Sequence, residues 1–150
     1  MNKIKWDEIM VKFYNNYKYI LVPFLLWLLI QISKVVVDCI QNKRFSLSRL
    51  LGSGGMPSSH SAVMVSITVM LGKYIGFHSP IFALACFMTL VVMQDAIGVR
   101  RQVGEQAKYL NEILVDDKIT PEQKFQEMVG HTPIQVLSGL IIGIIVGIVA

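Results

Sequence analysis

Residues 54–75 read GGMPSSHSAVMVSITVMLGKYI, passing within a few positions from a glycine-rich loop into an apolar run whose one charged residue is Lys73. Pro57 suits the first turn of a helix, where its missing N–H costs nothing, and Gly72 and Gly76 supply the stop. The run 59–75 approaches the roughly 20 apolar residues needed to cross a hydrocarbon core of about 30 Å. Three further stretches of this kind flank it, 20–40, 80–99 and 133–150. Hydrophobic residues make up 53% of the chain and charged ones only 16%, far from an average soluble composition, and 150 residues leave room for one domain. Lipid leaves only helices and closed barrels to satisfy every backbone group. The expected fold is therefore all-α: one membrane domain, 1–150, a polytopic bundle of about four transmembrane helices.

Outward from these spans the chain is polar in an organised way. Residues 1–19 carry Trp6, Ile9, Met10, Phe13, Tyr14 and Tyr17 at helical spacing with lysines off the stripe, the pattern of a helix lying in the membrane interface. In the stretch 20–40, Gln31, Lys34 and Asp38 share one face. They form either a Lys34–Asp38 pair or part of a polar site, and with no small-residue cleavage site following they argue against a signal peptide. Cys39 and Cys86 stand singly in apolar runs, without the spacing of a zinc or redox site. The net charge of +4 is modest, and near a membrane such charge meets lipid headgroups or phosphates, so no nucleic-acid partner is expected.

The segment 100–132 is the long polar stretch. Val99, Val103, Ala107, Leu110 and Leu114 keep a helical stripe into it, and Thr120-Pro121-Glu122-Gln123 has the form of a capping box for a short helix that Gly130 would end. Thr132-Pro133-Ile134-Gln135 repeats that signal for the last apolar helix and leaves His131 just ahead of the cap. Gly139, Gly143 and Gly147 form a small-residue face for close helix packing, against the first helix or a second copy of the chain, so that a homo-oligomer is one expected partner.

Four crossings put the loop 41–58 and the segment 100–132 on one side of the membrane, which gathers His60, His131, Lys43, Arg44, Arg49, Arg100 and Arg101. A glycine-rich loop entering a helix N-terminus is an anion site, Ser58 and Ser59 add hydroxyl donors, and arginines match phosphate oxygens. Of two histidines, a neutral one attacks phosphorus and a protonated one supplies a proton to the leaving alkoxide, a division that needs no metal and no cofactor. The bland alternatives are a polar helix-start histidine for His60 and an interfacial turn histidine for His131. His78, in the turn at the other membrane face, has no such role.

PSSH after a basic loop, with a second histidine ahead of the last helix, resembles the type 2 phosphatidic acid phosphatase superfamily, to which vanadium haloperoxidases also belong. GGMPSSHSA at 54–62, DAIGVRRQVGEQA at 95–107 and GHTPIQV at 130–136 resemble its divergent branch of small bacterial and plastid membrane proteins. The resemblance implies a reduced version of the superfamily's helical core, with His60 as general acid, His131 as nucleophile, and the Ser58–Ser59 backbone binding phosphate. Lys43 and Arg49 are the loose counterparts of its first motif, with Leu50 in place of proline. The third motif is broken: Phe125 stands where an arginine is expected, which assigns that role to Arg100 or Arg101, and Gln135 replaces the carboxylate that orients the nucleophile. Gln135 then either orients His131 or only caps Thr132, and Asp95 is the candidate substitute carboxylate. The function so implied is metal-independent hydrolysis of a lipid phosphate or diphosphate at a bacterial cell membrane. The rivals are a protein that binds or transports a lipid phosphate without catalysis and a structural role driven by the glycine face. Charge distribution places the site inside the cell and resemblance places it outside.

Overall fold

The computed structural model describes residues 2–43, 54–114, 124–127 and 129–150. Among them are five helices and no strand: α1 (Asn2–Asn42), α2 (Ser59–Ile75), α3 (Pro80–Ile97), α4 (Val99–Ile113) and α5 (Pro133–Val149). Short polar signals set the ends. Ser58, Ser79 and Thr132 cap α2, α3 and α5, each hydroxyl accepting from the backbone N–H three residues on, and Gly76, at φ 111°, closes α2.

The first 19 residues are not a separate interfacial helix. α1 runs unbroken for 41 residues, about 60 Å at the α-helical rise. No glycine or proline interrupts the chain before Pro23, and Pro23 itself lies inside the helix. Its lower half is tied to the bundle at Tyr14, whose hydroxyl donates to the Ala150 carbonyl at 2.9 Å, and at Lys18, whose Nζ sits 3.0 Å from the Tyr74 ring centroid.

α2 is the hub, packing against α1, α3 and α5. It runs parallel to α5: a Cβ on Gly139 would strike the Ser58 carbonyl, one on Gly143 would lie 2.6 Å from the Ala62 carbonyl, and one on Gly147 would lie 2.6 Å from Val69 Cβ. The glycine face packs against α2 of the same chain, where Ser58, Ser61, Ala62 and Ser66 offer an equally small surface, and not against α1.

Burial is inverted relative to a soluble protein. Ser58, Ser61, Ser66, Thr68 and Thr89 are buried, with Thr68 Oγ1 and Thr89 Oγ1 2.8 Å apart between α2 and α3, whereas Leu29, Leu84, Phe87, Leu90, Ile145 and Ile148 face outward. An apolar exterior over a hydrogen-bonded interior is the arrangement lipid demands. The stretches Lys5–Ile40 and Pro80–Ile113 are long and apolar enough to cross a membrane, and Pro133–Val149 is a shorter apolar helix.

Of the two expectations for the polar segment, the helical extension forms, as α4, and the short helix after residue 120 does not among residues 124–127. On α4 the buried residues are Gly104, Ala107 and Asn111, while Val99, Val103 and Leu110 are exposed. Its inner face is set by the polypeptide backbone that covers it, for which glycine and asparagine are better partners than valine. Residues 124–127 are not helical, because the Asn111 amide takes both backbone groups of Phe125: Oδ1 accepts its N–H at 2.8 Å and Nδ2 donates to its carbonyl at 2.9 Å. The Thr120 box itself lies outside the described residues.

Candidate active site

Because α2 and α5 are parallel, their N-termini lie side by side, joined where the Ser58 N–H donates to the Gln135 carbonyl at 3.0 Å. Two helix N-termini at one place bring two positive dipole ends together. His60 is the second residue of α2. His131 precedes the α5 cap and is held from the other side by its own N–H, which donates to the Ala96 carbonyl at 3.0 Å near the end of α3. Gly130 permits this approach, since a Cβ there would collide with the α4 backbone at Arg101.

Both histidines line one cavity of about 190 Å³, together with Asp95 and Ala96 of α3, Arg100 of α4, and Val91, Val92 and Val129. Arg100 Nε donates to Asp95 Oδ2 within that lining. His131 also borders a second, polar cleft of about 300 Å³, whose walls include Arg101, Glu105, Lys108, Glu127 and Gln135.

Gln135 performs both roles left open for it. Its Oε1 accepts the Thr132 N–H at 3.0 Å, completing the capping box, and lies 3.3 Å from His131 Nδ1. The backbone donor fixes the amide so that an acceptor faces the ring. Nδ1 then carries the proton and Nε2 keeps its lone pair, the tautomer a nucleophile needs. The ring is only 3% exposed, and burial holds its pKa below the ordinary histidine value. The charges of Lys34 and His60 push the same way, against hydrogen bonds to Gln135 and the Gly55 backbone. His131 is accordingly neutral at pH 7.

The other expected residues divide. Asp95 is paired with Arg100, and the position beside His131 Nδ1 belongs to Gln135, so Asp95 is not the substitute for the lost carboxylate. Arg100 reaches the cavity of the two histidines, whereas Arg101 bonds Glu105 at 3.0 Å and faces the polar cleft. Ser58 is fully buried and its groups are spent, the hydroxyl accepting from Ser61 N–H and lying 2.9 Å from Ser61 Oγ. It builds the helix start instead of contacting an anion. Ser59, also buried, lines an apolar groove beside His60. Lys43 is exposed at the end of α1 with φ 51° and is not in the cavity lining, and Arg49 lies outside the described residues.

Lys34 is the residue that sequence reasoning left unassigned. It is buried on α1, on the face that also buries Gln31 and meets α2, and it acts electrostatically on both His60 and His131. The signal was a lysine within an apolar span, costly in lipid unless something polar lies opposite. Lys108 and Glu127 of the polar cleft carried no comparable signal.

The uncharacterized membrane protein YuiD of Bacillus subtilis (strain 168) is 33% identical over 133 residues, covering 79% of this chain and 84% of the relative. No solved structure matches the chain significantly. The model of the Divergent PAP2 family matches residues 15–146, a span that takes in His60, Asp95, Arg100, His131 and Gln135, and the chain belongs to that family of membrane proteins.

Proposed function

We propose that this membrane protein hydrolyses a lipid phosphate through a phospho-histidine, in the membrane of a bacterial cell. One observation carries the reading: His131, with Nδ1 beside Gln135 Oε1, shares a cavity with His60 and Arg100 at two converging helix N-termini. His131 Nε2 attacks phosphorus, and as the P–N bond forms the ester P–O bond breaks. His60, which carries a proton when the phosphate anion lies beside it, passes that proton to the leaving alkoxide. Neutral His60 then takes a proton from water, which attacks phosphorus, cleaves the P–N bond, releases inorganic phosphate and restores His131. Arg100 and the helix ends hold the transferring phosphoryl group.

The competing reading, binding or transport of a lipid phosphate without turnover, is favoured by Gln135. A neutral amide orients the ring but supplies no charge to the imidazolium that forms. Purified protein in detergent, given decyl phosphate, separates the two. The expected result is release of inorganic phosphate, a His-linked phosphoenzyme trapped by acid quench, and loss of both in His131→Ala, by about 10³-fold or more. Saturable binding with no phosphoenzyme and no release would leave only the binding reading.

A further inference from the structure

The cavity of the two histidines shares lining residues with two spaces of different chemistry. At His131 it adjoins the cleft lined by Arg101, Glu105, Lys108 and Glu127. At His60 it adjoins a groove of about 320 Å³ whose walls are Phe24 and Trp27 of α1, Val63 and Met64 of α2, and Val92 of α3, with Ser59 at its head. His60 and Val92 belong to both the groove and the cavity. Phe24 and Trp27 stack with centroids 6.0 Å apart, and Phe24 is 55% exposed, so that wall reaches the outer apolar surface of the bundle.

We infer that this groove holds the hydrocarbon chain of the substrate, and that the substrate is a single-chain alkyl or prenyl phosphate in preference to a diacyl lipid. The inference rests on the phosphatase reading above and narrows its substrate. Chain number follows from the two spaces. The groove, at about 320 Å³, offers apolar walls to one chain, whereas a second directed into the other cleft meets two acidic and two basic side chains, a costly place for hydrocarbon. The groove also begins at His60, the residue at the leaving oxygen, so the first carbons beyond that oxygen already meet Val63, Met64 and Val92. A diacyl lipid would bring two ester carbonyls to that stretch, where acceptors gain little. Each methylene the groove takes from water raises apparent affinity about fourfold.

Trp27 is itself a reporter, since Trp6 is the one other tryptophan and is removed by Trp6→Phe. In detergent, decyl phosphate brominated along its chain is expected to quench Trp27 saturably, orthovanadate to reverse the quenching, and brominated decanol to give neither effect. In turnover, kcat/KM for decyl phosphate should exceed that for dipalmitoyl phosphatidate at equal micellar mole fraction by tenfold or more. Val63→Phe, which fills the groove, should lower the decyl-to-butyl phosphate ratio of kcat/KM at least tenfold. Phe24→Ala, at an exposed position where folding is not at stake, should weaken the saturable quenching severalfold. Turnover of decyl phosphate without vanadate-sensitive quenching, or phosphatidate turned over as well or better, overturns the inference while leaving the phosphatase. Saturable, vanadate-sensitive quenching with no hydrolysis of any ester removes the phosphatase and keeps the groove. Absence of both removes both.

Discussion

The two ends of the α2–α5 pair contain the same kind of orphaned backbone and treat it oppositely. At the C-terminal end, unpaired carbonyls collect donors from the chain itself: Tyr74 Oη donates to the Ala150 carbonyl at 2.7 Å, Tyr14 to the same oxygen, and Lys73 Nζ to the Ile148 carbonyl at 2.9 Å. That end is closed by its own side chains. At the N-terminal end the dipoles are positive, and around them stand cavities lined by His60, His131 and Arg100. A bundle can afford polarity at both ends, but only the end left with space for an anion can do chemistry. Parallel packing doubles the positive potential there, and the glycine face of α5 is what permits that packing.

The sharpest test of this contrast is at the open end. His60→Ala should cost about 10² to 10⁴ in kcat for decyl phosphate, whose alkoxide needs a proton, and far less for nitrophenyl phosphate, whose leaving group does not. Equal losses on both substrates would show that His60 positions phosphate and does not protonate. Next in size is the packing that makes both ends possible. Gly143→Leu drives a side chain into the Ala62 carbonyl and Val65, and should lower stability by about 1–3 kcal/mol or prevent folding, read as Tm in detergent. An unchanged Tm would mean that α2 and α5 do not approach this closely.

The remaining tests are smaller. The folded pKa of His131 is depressed, so below the ordinary histidine value of about 6.5 the unfolded chain binds the proton first. Its contribution to stability is present above that pH and is lost as pH falls through the interval down to the folded value. Thermal unfolding from pH 7.5 to 5 should therefore fall less steeply in His131→Gln than in the natural chain, and parallel slopes would count against the buried neutral ring. At the closed end, Tyr74→Phe should cost only about 0.5–1.5 kcal/mol, the worth of one hydrogen bond, and should leave kcat unchanged. A fall in kcat there would break the contrast itself.

The helices were legible where local signals and burial agree. α2 starts at Ser59 behind its cap Ser58, with Pro57 outside the helix and not in its first turn, and stops at Gly76, and α5 starts at Pro133 behind Thr132, because caps and breakers act within a turn of the residues that carry them. What sequence did not reveal was which surfaces meet. A small-residue repeat announces close approach but not its partner, and α2 answers it with serines and alanine that look unremarkable in a linear reading. The stripe on α4 announced the helix but not its inner face, since α4 receives the backbone of Phe125 through Asn111. Within the site, the gathering of both histidines with Arg100 or Arg101 could be expected from residue type and chain position, but not which arginine lines their cavity. Gln135 over Asp95, and Ser58 as architecture instead of ligand, depended on hydrogen bonds that spacing alone does not encode.

Length adds a last consequence. α2 and α5 each have 17 residues, which at about 1.5 Å per residue rise roughly 26 Å, short of a ~30 Å hydrocarbon core, while α1 is far longer. With the closed end anchored at one headgroup layer, the histidines sit beneath the opposite layer instead of level with it. Either the bilayer dimples over them or the lipid sinks to meet them, at a cost of a fraction of a kcal/mol per Å. Under the proposed function, a thinner bilayer would bring a lipid phosphate nearer the two histidines than a thicker one, without any change in the cavity.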